Sequence, residues 1–85
     1  MKLKEGFVLR QVAGSWVVVA VGRTSVSFDG MLSLNDSGAL LWKALSEGRD
    51  LVAALTEEYE VSREQAARDV DEFLQTIRQA GCLAE

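Results

Sequence analysis

A domain of 85 residues buries only about 60% of the surface its unfolded chain exposes, so a sequence that is 48% hydrophobic has little interior to fill and leaves apolar surface for a partner or a second copy. Thirteen acidic residues against nine basic ones give a net charge of −4, which opposes DNA or RNA binding, because that needs a basic face to neutralise phosphates. Histidine is absent and Cys82 is the single cysteine, which removes the usual neutral-pH base, an internal disulfide and a structural zinc site.

The start, MKLKEGF, turns polar after one leucine and lacks a signal-peptide pattern. Residues 1–5 are charged and are expected to fray. Phe7 to Ala13 alternates loosely, with Phe7, Leu9 and Gln11 on one face and Val8, Arg10 and Val12 on the other. After a turn signal at Gly14-Ser15, Ser15 to Val21 is rich enough in valine to predict a strand that pairs back as a hairpin. The apolar run within it, Trp16 to Val21, is far short of the ~20 residues that cross a bilayer. Ser25 to Leu34 alternates again. Asp29-Gly30 in its middle reads either as a hairpin turn or as a bulge, with Met31 to Leu34 as the working strand.

Three helices follow. Asn35 can cap the first, whose Leu41, Trp42 and Leu45 recur at helical spacing up to a stop at Gly48. Asp50 can cap the second, which carries Leu51, Val52, Leu55 and Tyr59 on one side. Ser62 opens the third, and Gln65 three residues on completes a capping-box pattern. Ala66, Val70, Phe73 and Ile77 form its core stripe, Glu64–Arg68 and Arg68–Glu72 have the spacing of helical ion pairs, and Gly81 ends it. Cys82-Leu83 then tucks back onto the core. The expected fold is a single α+β domain over residues 1–85, a three-stranded antiparallel sheet followed by three helices in a winged-helix-like arrangement.

Catalytic chemistry finds little support. Glycines are scattered singly, so no loop suits a phosphate. Asp69 and Asp71 are two residues apart and point to different sides of a helix. Cys82, beside Leu83, reads as packing. The expectation is a cytoplasmic protein that is not an enzyme, with no metal and no cofactor.

Peptide recognition is better supported. A small sheet has edges that expose unpaired N–H and C=O groups, and the segment from Ser27 to Ser33 carries neither the lysine nor the proline that usually guards one. On the third helix Ala67 and Leu74 overhang one flank of the apolar stripe, in line with Asp71 and Arg78, while Asp69, Glu72 and Thr76 make the opposite flank polar. A groove between the open edge and the overhanging flank could take an extended peptide as an added strand. Equally, Ala67 and Leu74 could contact the sheet or a second copy of the chain.

Three stretches of this chain, GFVLRQVAGSWVVV, FDGMLSLNDSGALLW and EYEVSREQAARDVDEFLQTIRQAGCL, resemble the small D protein of pyrroloquinoline quinone (PQQ) biosynthesis and the wider PqqD-like family of RiPP recognition elements. (RiPPs are ribosomally made, post-translationally modified peptides.) Leu34, Asn35, Gly38 and Trp42 carry the LN-x-x-G-x-x-x-W signature, and Ala66 to Leu74 the AxxDVxxFL pattern. The resemblance implies three strands followed by three helices. It also implies a peptide chaperone that holds the leader segment of a precursor peptide as an extra strand and presents it to a modifying enzyme, often of the radical-SAM type. Carried over by position, the peptide-binding residues are Met31, Leu32, Ser33 and Leu34 on the strand, and Ala67, Val70, Asp71, Leu74 and Arg78 on the helix. The second-helix region, GRDLVAALTEEY, is short for the family. Competing readings are a winged-helix transcription regulator and a structural homodimer that covers its own edge.

Overall fold

The computed structural model describes residues 2–22 and 31–84. Asp29-Gly30, the predicted turn or bulge, lies outside the described residues. The elements are β1 (Lys2–Leu3), β2 (Phe7–Val12), β3 (Ser15–Ala20), β4 (Met31–Leu34), α1 (Asp36–Ser46), α2 (Leu51–Glu58), α3 (Arg63–Gln79) and β5 (Leu83–Ala84). The α+β architecture is the one expected: a three-stranded antiparallel sheet in the order β2-β3-β4, followed by three helices.

The hairpin of β2 and β3 closes on two residues, because Val12 is opposite Ser15. Ala13 and Gly14 both sit at positive φ, 52° and 81°, the conformation that matches the right-handed twist of a two-residue hairpin. Glycine takes it freely, whereas alanine is held there at about 1–2 kcal/mol. Ala13→Asn is therefore expected to stabilise the domain by about 0.5–1 kcal/mol. Urea unfolding measures this directly, and an unchanged or lower midpoint would show that the turn is not strained.

Pairing sets the faces of the sheet. Leu9, Val18 and Leu32 are partners across the three strands, as are Trp16 and Leu34 across β3 and β4, so they share one face. Val18 is fully buried there, and Phe7, Leu9, Leu32 and Leu34 pack around the same core. The helices close over this face with Leu41 and Trp42 from α1, Leu55 from α2, and Ala66, Val70, Phe73 and Ile77 from α3. Trp16 lies at the rim, where the Lys43 ammonium stands 4.4 Å above its ring.

Each helix is started by the residue the sequence points to. Asn35 Oδ1 accepts from the Gly38 N–H at 2.8 Å, Asp50 Oδ1 from Ala53 at 3.0 Å, and Ser62 Oγ from Gln65 at 3.1 Å. The Ser62 box is only half closed, because the Gln65 amide donates forward to Asp69 Oδ1 at 2.9 Å. The expected Glu64–Arg68 and Arg68–Glu72 ion pairs do not form. The pairs that do form among the described residues join Arg49 to Glu47 and Glu57, at 3.7 and 3.3 Å, and all are solvent-exposed.

The amino terminus corrects the expectation of a frayed start. Lys2 and Leu3 pair with Ala84 and Leu83 as a second, two-stranded antiparallel sheet, and the Lys4 N–H donates to the Cys82 carbonyl at 2.7 Å. The turn after α3 makes this possible. Cys82 donates back to the Ile77 carbonyl at 2.9 Å, which reverses the chain and drops Cys82 and Leu83 into the core. Burial pushes the Cys82 thiol upward, with the Lys4 charge opposing in part. The thiol is held neutral and packed, and has the character of a small apolar side chain.

Candidate functional site

β4 is the edge of the three-stranded sheet: β3 is its only partner strand among the described residues. No described strand pairs with its outer row of backbone groups. The strand alternates exposed Met31 and Ser33 with half-buried Leu32 and Leu34. Met31 is 66% exposed, the highest value of any large apolar side chain described.

The strand runs into α1 through Asn35 alone, and this junction is tightly built. A side chain at Gly38 would place its Cβ 3.1 Å from Asn35 Oδ1 and 3.3 Å from the Leu34 Cβ. Glycine is needed there so that the cap can close onto the end of the strand. Trp42, one turn further on, is 4% exposed and anchors α1 in the core. Leu34, Asn35, Gly38 and Trp42 thus fix where β4 ends and how it is presented.

Beside the strand lies a cleft of about 420 Å³. Ser33 and Leu34 form its strand wall, Asn35, Ser37 and Gly38 its end at the α1 start, and Leu41 and Phe73 its apolar floor. Across it stand Asp69, Glu72 and Thr76 of α3. Asp69 is held by Gln65, and the Thr76 hydroxyl donates to the Glu72 carbonyl at 2.9 Å. None of the described residues that line the cleft is a lysine or arginine, and its helix wall carries the carboxylates of Asp69 and Glu72.

The structure therefore brings Ser33 and Leu34 against one flank of α3, and the other flank carries the helix residues singled out from the sequence. None of Ala67, Val70, Asp71, Leu74 and Arg78 lines this cleft. Val70 is buried and Leu74 packs against the core, while Ala67, Asp71 and Arg78 are exposed. Met31 and Leu32 lie on the same open strand but outside the cleft lining. The residues missed as cleft-lining, Asp69, Glu72, Phe73 and Thr76, carry one faint signal: three are polar beside an apolar stripe, which reads equally well as a solvated face.

Among the described residues no group of cysteine and acidic side chains is arranged to hold a metal ion. None of their helices is long and apolar enough to cross a membrane. Among the described residues the cleft has neither a nucleophile poised on a base nor a basic lining; it offers a strand edge, an apolar floor and two carboxylates.

Two solved structures share this fold over the whole chain. TbiB1 in complex with the TbiA(beta) leader peptide superposes with a TM-score of 0.75 at 23% identity, covering 100% of both chains. A lasso peptide synthetase B1 complexed with the leader peptide superposes at 0.77 with 26% identity, covering 99% of this chain and 96% of that one. Comparison with curated proteins gives no match. The model of the family of coenzyme PQQ synthesis protein D matches residues 15–83, from the first residue of β3 to the first of β5. The chain belongs to the PqqD family.

Proposed function

We propose that the chain is a non-catalytic recognition module that binds the leader segment of a ribosomally made precursor peptide by strand addition to β4. It then presents that peptide to a modifying enzyme, of the radical-SAM type in pathways that use one. The observation that carries this reading is the open edge of β4 directly beside a cleft with an apolar floor. An added strand places alternate side chains on one face. The backbone ladder therefore supplies affinity while every second guest residue reaches the cleft. Both solved relatives hold leader peptides, which supports the same class of guest here.

Met31 to Leu34 provide the ladder. The cleft residues Leu34, Phe73 and Thr76 receive apolar guest side chains, and Val70 and Leu74 hold α3 in place behind them. Ala67 and Asp71, exposed on the far flank, form a surface that the modifying enzyme contacts. A homodimer formed edge to edge through β4 would use the same backbone groups and would exclude the guest. The chain works in the cytoplasm, where such precursors are made.

The test is fluorescence anisotropy with the labelled leader segment of a candidate precursor peptide. Saturable one-to-one binding that weakens only modestly with salt is expected. No binding to the leader, together with a salt-sensitive mobility shift of duplex DNA, would favour a winged-helix regulator instead.

A further inference from the structure

A second cup, of about 430 Å³, opens past the carboxyl end of β4. Leu55 and Tyr59 of the α2 end and Val61 of the following turn form its apolar wall. Asp36 and Asp69 also line it, and none of its described lining residues is basic. Tyr59 is 38% exposed, so part of its ring faces the cup. Asn35, Ser37 and Asp69 line both this cup and the cleft beside β4. The two form one trough from the strand edge across the α1 start to the α2–α3 turn. This inference rests on the peptide reading above.

We propose that the cup is a second subsite for the same guest and takes a lysine or arginine side chain from the segment that runs on past Leu34. A long basic side chain has two parts, an apolar stem and a charged head. Leu55 and Val61 offer a wall for the stem, the Tyr59 ring a face for the cation, and Asp36 and Asp69 the opposite charge. An acidic side chain there would meet two carboxylates. An apolar one would bring no counter-charge to either. The strand edge reads the guest's alternation, and the cup reads one charge at a fixed distance from it. Whether that charge lies before or after the added strand follows from the strand's direction.

Asp36 lines only the cup, which separates the two subsites in an experiment. Random peptides displayed on their own mRNA are selected on the immobilised full chain and, in parallel, on Asp36→Asn, each checked by circular dichroism. Selection on the native chain should yield an alternating apolar motif with lysine or arginine at one fixed offset outside it. Asp36→Asn should keep the motif and relax the offset position. One selected peptide is then compared with its lysine-to-norleucine form. Asp36→Asn should weaken the lysine form about two- to fivefold and leave the norleucine form unchanged. A motif without any basic preference, or equal losses for both forms, overturns the cup. If no peptide is enriched on either protein, strand-edge recognition itself is overturned.

Discussion

Thr76→Trp is expected to abolish peptide capture while leaving the domain folded. Thr76 is exposed on α3 and faces Ser33 and Leu34 across the cleft. Its hydroxyl only bonds back to the Glu72 carbonyl of its own helix, a contact that contributes nothing favourable to helix stability. Tryptophan and threonine have similar helix propensities, so the thermal midpoint should hold. An indole placed there occupies the space of the guest's inward side chains. Each such apolar side chain contributes about 1.5–3 kcal/mol when buried, so losing even one lowers affinity by about tenfold or more. Anisotropy with the leader peptide measures the loss, and Thr76→Ser should bind as the native chain does. An undiminished affinity in Thr76→Trp would remove the cleft from the binding site.

Trp42→Ala carries the largest expected effect on stability. The side chain is 4% exposed, at the centre of the cluster that joins Val18 of the sheet to Leu55 and Ile77 of the helices. Removing a buried tryptophan typically costs about 3–5 kcal/mol. A domain of this size has on the order of 4–13 kcal/mol in total. The variant should lose most of its stability, with a thermal midpoint lowered by at least about 15 °C or no cooperative transition at all. Val12→Ala, at a 55% exposed position, should stay within about 0.5 kcal/mol of the native chain. A small effect of Trp42→Ala would mean that α1 is anchored elsewhere, and with it the position of β4.

The framework was legible wherever one residue type has one strong local use. Asn35, Asp50 and Ser62 are caps by side-chain chemistry alone, and each starts its helix. The valine run of β3 and the Ala66–Val70–Phe73–Ile77 stripe are periodic over enough residues to fix both element and face. β1 and β5 were not legible, because two-residue strands have no period and their pairing joins the two ends of the chain. The charge of Lys2 and Lys4 suggested solvent, yet the backbone between them is what pairs.

The helix half of the site shows a different limit. A helical stripe reveals which side of α3 faces the core, and it says nothing about which flank lies beside the sheet edge. That is set by how α3 packs on α1 and α2. The apolar overhang of Ala67 and Leu74 drew attention to one flank. The packed chain sets Asp69, Glu72 and Thr76 beside Ser33 and Leu34 instead. Under the proposed strand addition, affinity comes from backbone pairing, so the polar residues beside the edge carry no marked sequence signal.

Strand addition makes a demand that no other mode of peptide binding shares: the outward amides of β4 must become hydrogen-bonded. Residue-resolved amide exchange, followed by NMR with and without the leader peptide, reads those amides one at a time. Slowed exchange at the outward-facing positions within Met31 to Leu34, with little change in β2 at the opposite edge, is the result expected. Saturable binding that leaves the exchange of every β4 amide unchanged would contradict strand addition at this edge.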